Sequence, residues 1–260
     1  MLHAKSVPHD ALRAFPQIAE RVRNARQCAL FLDLDGTLVG FRRRPEDVQL
    51  SGHVKSLLER LVRHKKVSVA IVSGRRVSDL KRLVSVEGIR LLGVHGAEQL
   101  GRTKNLSRQT SFELETMKLY ARLSFCTMRE IWIEDKRLSF AVHYRGAKAP
   151  AVRSVKQTML QGFEPFRGRL RILKGEMVWE VLPKELQGKG EAVRGLMRKF
   201  PPGTLGIYIG DGATDEPAFA ALRRGITVHT GRDQNTQAEF RLQNPAAALR
   251  FLGMLEREIP

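Results

Sequence analysis

Cys28-Ala29-Leu30-Phe31-Leu32-Asp33-Leu34-Asp35-Gly36-Thr37 is the stretch whose reading decides the fold. An unbroken apolar run that stops at a carboxylate has the pattern of a strand buried on both faces, as in a parallel sheet covered by helices. Alternation along an extended chain puts Asp33 and Asp35 on the same side, and Gly36 lets the backbone turn tightly after them. An ordinary Asx turn would also produce Asp-Gly-Thr, so the surroundings must decide whether the two carboxylates are chemical.

Outward from this stretch the pattern repeats. A helical spacing over 11–27 precedes it. After it, apolar residues at Val54, Leu57, Leu58, Leu61 and Val62 predict a helix over 51–64, and the strand 67–72 runs into Ser73-Gly74-Arg75. A third pair, helix 77–84 and strand 90–94, ends at His95-Gly96-Ala97-Glu98. Near the carboxyl end come helix 189–199, strand 206–209, the loop Gly210-Asp211-Gly212-Ala213-Thr214-Asp215, helix 216–224 and strand 225–229. Alternating helices and β-branched strands predict an α/β fold with a doubly wound, mainly parallel, Rossmann-like sheet. In such sheets ligands bind beyond the carboxyl ends of the strands, so these loops can converge although they are distant in sequence. The middle reads differently, as helix 111–129, strands 131–134 and 138–145, helix 151–160, and strands 170–173 and 177–182. That αββαββ order predicts an antiparallel sheet covered by helices. We therefore expect a core formed by 1–105 and 184–260 and an inserted α+β cap at 106–183.

The 260 residues are 42% hydrophobic and 28% charged, which suits a folded globular chain and not a disordered one. No apolar run is long enough to cross a bilayer, and the first residues lack the apolar stretch of a signal peptide, so a cytoplasmic protein without a membrane partner is expected. Cys28 and Cys126 are far apart and lack metal-ligand spacing; both are expected to be small buried hydrophobes. The formal charge of +18 attracts anionic partners. The basic residues are scattered and accompany no nucleic-acid motif, so a sugar phosphate is expected and nucleic acid is not.

A phosphate monoester resists attack because an anion must approach an anion; a carboxylate nucleophile therefore needs a cation beside the phosphoryl oxygens. Asp33 and Asp35 suit this chemistry: one can attack phosphorus to form an aspartyl phosphate while the other protonates the leaving alcohol and later activates water. Thr37 can hold the loop or donate to phosphate. Ser73, followed by Gly74, can offer a hydroxyl and backbone N–H groups to a phosphate oxygen. Asp211 and Asp215 are suited to a hard, oxygen-loving cation, and Lys189 at a helix start supplies a fixed positive charge. Alone, these would be a helix cap, a polar loop and a surface charge; their shared order and placement argue for one site.

These four motifs, DLDGT at 33–37, Ser73, Lys189 and GDGATD at 210–215, resemble those of the haloacid dehalogenase superfamily of phosphatases. More narrowly, Val72-Ser73-Gly74-Arg75, Gly93-Val94-His95-Gly96-Ala97-Glu98, Glu134-Asp135-Lys136, His143-Tyr144-Arg145, Glu180-Val181-Leu182-Pro183 and Thr214-Asp215-Glu216 are similar to stretches of the trehalose-6-phosphate phosphatases. The resemblance implies hydrolysis of trehalose 6-phosphate through an aspartyl phosphate, with Mg2+ as cofactor. Asp33 would be the nucleophile and Asp35 the acid/base that also gives a backbone carbonyl to the metal. Asp211 would be a metal ligand, with Asp215 supporting the metal directly or through water. Ser73 and Lys189 would hold the phosphate. Substrate contacts would come from Arg75 and His95 in the core and from Glu134, Lys136, Arg145 and Glu180 in the cap.

The cap residues also have a reading of their own. A neutral, hydroxyl-rich sugar calls for charge-assisted hydrogen bonds from a polar sheet face. The plainer alternative is a set of cross-strand ion pairs. His143 serves a structural role as readily as a substrate contact, and His95 is expected at the mouth of the site. Two departures stand out: Gly212 replaces an aspartate usual in the family, and Glu176 stands where a lysine is frequent. The second puts the sugar in more doubt than the reaction. The rival readings are a phosphatase for another ester, such as sucrose phosphate or mannosylphosphoglycerate, and a catalytically weak sugar-phosphate binder.

Overall fold

The computed structural model describes residues 7–42, 44–175, 177–232 and 235–259. In chain order, the core begins with β1 (His9–Asp10), α1 (Phe15–Arg23), β2 (Cys28–Leu32), α2 (Gly52–Arg63), β3 (Val67–Val72), α3 (Val77–Val84), β4 (Arg90–Gly93) and β5 (Glu98–Gln99). The next elements are β6 (Arg102–Thr103), α4 (Arg108–Ser124), β7 (Trp132–Asp135), β8 (Phe140–His143), α5 (Ala149–Phe163), β9 (Leu170–Gly175) and β10 (Val178–Pro183). The chain closes with α6 (Lys189–Met197), β11 (Leu205–Gly210), α7 (Glu216–Ala221), β12 (Ile226–Thr230), β13 (Phe240–Leu242) and α8 (Pro245–Glu258). It divides into two compact units, one running to Gly101 and resuming at Gly188, the other spanning Arg102–Gln187.

The core sheet has the order β1-β13-β12-β11-β2-β3-β4-β5, parallel except where β5 runs against β4. Alternation along β2 explains why it is covered on both faces. Leu30 and Leu32 pack with Ile18 of α1, Leu57 of α2 and Phe251 of α8, whereas Ala29 and Phe31 pack with Val193 of α6 and Phe219 of α7. The chain leaves β2 toward β3 and β4 on one side and returns through β11, β12 and β13 on the other. The strand order therefore reverses at β2, the position where open α/β sheets bind ligands.

The second unit is an antiparallel sheet ordered β7-β8-β10-β9. Ile133, Val142, Trp179, Val181 and Ile172 on one face pack with Leu114, Met117 and Ala121 of α4 and Val155 and Met159 of α5. This leaves Glu134, Ala141, His143 and Glu180, which alternate with them, on the other face.

Several expectations need correction. The first helix occupies Phe15–Arg23 and not 11–27, because the Asp10 carboxylate accepts from the backbone N–H groups of Leu12 and Arg13 and turns the chain before Pro16 opens the helix. The cap's first helix begins earlier than 111, where the Ser107 side chain accepts from Thr110 N–H, and ends at Ser124. Cys126 falls in the turn after this helix and is exposed, contrary to the burial expected of both cysteines, while Cys28 is buried. Burial pushes the Cys28 thiol up to about 11.

Candidate active site

Asp33 sits one residue beyond β2, and its backbone N–H donates to Ile209 O at 2.9 Å. Because β2 and β11 are adjacent with Leu32 opposite Ile209, the loops carrying Asp33 and Asp211 must emerge side by side. Leu34 and Leu38, both buried, anchor the DLDGT loop from below, and Leu38 N–H donates to Leu34 O at 2.9 Å. Gly36 has φ +82°, and a Cβ there would stand 1.8 Å from Asp211 Oδ2. Only glycine allows the two acidic loops to approach this closely.

Carboxylate oxygens of Asp33, Asp211 and Asp215 all lie within 4.8 Å of one another. The Lys189 ammonium, buried at the start of α6, lies 2.8 Å from Asp33 Oδ1 and 2.8 Å from Asp215 Oδ1. Asp215 is fully buried and also accepts from Tyr208 Oη at 2.6 Å and Gly212 N–H at 3.1 Å. Its lone pairs are thus largely engaged, and its carboxylate acts as a fixed support for Lys189. The Tyr208 contact escaped the sequence reading, since a tyrosine inside an apolar strand reads as core; its only signal was the polar end of a ring expected to be buried.

The cluster holds three carboxylates and one ammonium. Burial pushes Asp33 up to about 7, with Lys189 opposing and Asp215 adding to the rise. Burial and the neighbouring Asp33 and Asp215 push Asp211 up to about 9. Burial would lower Lys189, but Asp215 and Asp33 outweigh it and hold the ammonium above its ordinary range. An all-oxygen, acidic donor set with excess negative charge fits a hard divalent cation, and these residues could hold one.

Asp35 lies apart from this cluster. Its two oxygens are taken by Arg75, with Nε donating at 2.7 Å and Nη2 at 2.8 Å, and Arg75 Nη1 donates to Pro45 O at 2.9 Å. Arg75, expected to touch substrate, here grips the second carboxylate of the DLDGT loop. Ser73 is buried and its Oγ accepts from Arg75 N–H at 3.2 Å, with Gly74 between them. Thr37 Oγ1 is buried without a hydrogen-bond partner among the described residues. The His95 loop is strapped to the Ser73 loop by His95 N–H to Ser73 O at 2.9 Å and Val94 N–H to Arg75 O at 2.8 Å. Val94 and His95 both have positive φ, 46° and 57°, which for a β-branched residue is a strained conformation.

In the second unit, Lys136 Nζ donates to Glu180 Oε2 at 3.0 Å and stands 3.8 Å from Glu134 Oε2. Ser139 Oγ donates to Glu180 Oε1 at 2.7 Å, and Glu134 Oε2 lies 2.9 Å from His143 Nε2. The His143 ring stacks on Trp132 at 4.1 Å. Burial would raise Glu134, but Lys136 and His143 outweigh it and hold the carboxyl below its usual range. Arg145 falls in the turn after β8 and is half-buried. Glu176 lies outside the described residues.

The doubly wound α/β core, with acidic loops at the ends of its central strands and Lys189 at the start of α6, shares its fold with a haloacid dehalogenase-like hydrolase from Bacteroides thetaiotaomicron, at a TM-score of 0.61 and 15% identity. Within that class the chain belongs to the trehalose-phosphatase family, whose model matches residues 31–246. It is 30% identical over 239 residues to the trehalose-6-phosphate phosphatase of Escherichia coli, covering 87% of this chain and 86% of that one. It is 31% identical to an uncharacterised glycosyl hydrolase of Mycobacterium tuberculosis over 95% of this chain, yet spans only 19% of that protein's length. Among solved structures, the C-terminal domain of C. albicans trehalose-6-phosphate phosphatase superposes with a TM-score of 0.82 at 20% identity, covering 97% of this chain and 99% of that one.

Proposed function

We propose that this chain is a Mg2+-dependent phosphatase that hydrolyses trehalose 6-phosphate to trehalose and inorganic phosphate. The observation that carries this reading is the buried Asp33 carboxylate held 2.8 Å from Lys189 beside Asp211, in a chain whose family match spans residues 31–246. In the first step an Asp33 oxygen attacks phosphorus, the bond from phosphorus to the sugar oxygen breaks, and Asp35 gives its proton to the departing alkoxide. In the second, Asp35 takes a proton from water, the water oxygen attacks phosphorus, and the bond to Asp33 breaks to release phosphate. For the first step Asp35 must carry a proton, so its carboxyl has to leave the two-point grip of Arg75.

Lys189, Ser73 Oγ and Thr37 Oγ1 are placed by this reading on the phosphoryl oxygens, which supplies the partner that the buried Thr37 hydroxyl lacks among the described residues. Asp33, Asp211 and the Asp35 backbone carbonyl would hold the metal, with Asp215 supporting it. The metal would offset phosphoryl charge. Recognition of the sugar hydroxyls falls to Glu134, Lys136, Arg145 and Glu180, with Arg75 and His95 as core contacts. The ion pairs among the first of these residues keep their charged heads preoriented for such bonds.

Phosphate release from trehalose 6-phosphate, sucrose phosphate, mannosylphosphoglycerate and glucose 6-phosphate, each with Mg2+ and with chelator, tests the proposal. The expected result is Mg2+-dependent release that is fastest from trehalose 6-phosphate. Release only from another ester overturns the substrate, and release from none overturns the activity.

A further inference from the structure

Helix α4 is apolar on two opposite faces. Leu114, Met117 and Ala121 are buried against the cap sheet, as an amphipathic helix in a two-layer unit requires. On the other side Phe112, Leu119 and Leu123 are 67%, 56% and 66% exposed. With Thr116 they recur at intervals of four, three and four residues, the spacing of a seam between two packed helices. Tyr120 borders this seam and lies over Gly162 of α5, where Leu160 is also exposed. Isolated surface hydrophobics need no explanation, but a row of them along one helix face does. A groove of about 300 Å3 lined by Phe112, Glu115, Thr116, Lys118, Leu119 and Arg122 runs along the same flank.

The charges beside the seam indicate what covers it. Glu115 and Arg122, seven residues apart, stand on one flank, and both are exposed. Each already has a neighbour, Lys118 Nζ at 2.6 Å from Glu115 and Asp135 Oδ2 at 3.5 Å from Arg122, but more than half of each side chain remains open to a second partner. In an antiparallel pair of such helices about a two-fold axis, Phe112 faces Leu123 of the second copy and Thr116 faces Leu119. Glu115 then meets Arg122 of the second copy, and the same pair recurs on the symmetric side. In this register the surface is self-complementary in its apolar row and in its charges.

We propose that the exposed face of α4 is a homodimerisation surface that takes a second copy of this chain in antiparallel register. A helix of 17 residues is about 25 Å long. An interface of that extent is small, so the dimer forms with a Kd in about the micromolar range. The proposal is independent of the reaction assigned to the core.

Sedimentation velocity of the full chain from about 1 µM to about 500 µM tests it. The wild type is expected to move from monomer to dimer across that range, and L119E/L123E to stay monomeric with an unchanged melting temperature, since both positions face solvent. E115R and R122E should each raise Kd about tenfold through the two symmetric charge pairs, and E115R/R122E should return it to within about threefold of wild type. A wild type that stays monomeric throughout, as it would if the face serves a membrane or an unrelated protein, overturns the proposal. So does a dimer that survives L119E/L123E, or a double charge exchange that fails to restore association.

Discussion

The two units each bury a cluster of charges, yet the clusters are balanced in opposite ways. In the core, Asp33, Asp211 and Asp215 share the single ammonium of Lys189, and the acids are pushed up to about 7 at Asp33 and about 9 at Asp211. In the cap, Glu134 and Glu180 share Lys136, a serine hydroxyl and a histidine ring, and Glu134 is held below its ordinary range. A cluster that satisfies itself can stand as structure. One left with surplus negative charge is completed by a cation and suited to work on an anion that the cation brings in.

The largest break in this comparison is Asp33→Asn. It removes the proposed nucleophile, so turnover should fall by about four orders of magnitude or more, measured as phosphate release under saturating substrate. It also removes one of the surplus charges, so the melting temperature in chelator should stay level or rise. A variant that keeps its activity would refute the mechanism, and one that loses activity by unfolding would refute the account of the surplus.

Removing the cations separates the clusters further. Lys189→Met leaves Asp33 and Asp215 buried without their shared ammonium and should cost about 3–5 kcal/mol in urea denaturation. Lys136→Met leaves Glu180 with the Ser139 hydroxyl and Glu134 with His143 Nε2, and should cost about 1–3 kcal/mol. If the cap variant proved the more damaging of the two, the contrast between a self-satisfied and an incomplete cluster would be wrong.

Much of the core cluster could be read from the chain because its parts sit at strand ends, and buried strands announce themselves as apolar runs. Asp33, Ser73 and Asp211 each follow such a run, and the sheet brings the loops of Asp33 and Asp211 side by side. The fold class and its helix and strand alternation were legible for the same reason. What pairs with what was not. The grip of Arg75 on Asp35 joins residues 40 positions apart, and that of Tyr208 on Asp215 depends on a polar atom at the end of a core ring. Helix α8 lies outside the expected elements although the chain carries its signals: Asn244 capping Ala247, Pro245 at the first turn, and apolar residues at Ala248, Phe251, Leu252 and Leu255. Strand β13, with three residues, carries too little pattern to be recognised alone. In the cap the plain alternative of cross-strand ion pairs is what the side chains adopt, and a pattern of charged residues on one sheet face reads the same whether it serves structure or recognition.

A third measurement sharpens the core side. Gly212 lies in the acidic loop between Asp211 and Asp215, and a Cβ built there meets no atom nearer than Asp215 Oδ2 at 4.0 Å, so Gly212→Asp is free of a clash at its Cβ. A further carboxylate should tighten Mg2+ about tenfold by calorimetry, since affinity for hard cations follows ligand charge. In chelator the same carboxylate adds to an unpaired surplus, so the melting temperature should fall without metal and rise with it. Tighter binding with no loss of stability in chelator would mean that the surplus is not what limits the metal-free protein.

The smallest effect tests the cap side through pH. Glu134 is held below the ordinary glutamate value of 4.5 by Lys136 and His143, against the opposing push of burial. The unfolded chain therefore binds more protons than the native chain as pH falls from 4.5 toward the native value. The stabilisation from this carboxylate is complete above about 4.5 and disappears as pH falls through the native pKa. Glu134→Gln should thus cost about 1–2 kcal/mol at pH 6 and markedly less at pH 3, by urea denaturation of both proteins at each pH. A difference that stays constant would place the glutamate's contribution in its shape and neutral hydrogen bonds. A difference that grows on acidification would mean that Glu134 carries surplus charge like the core acids, and the contrast between the two clusters would fail at its best-defined residue.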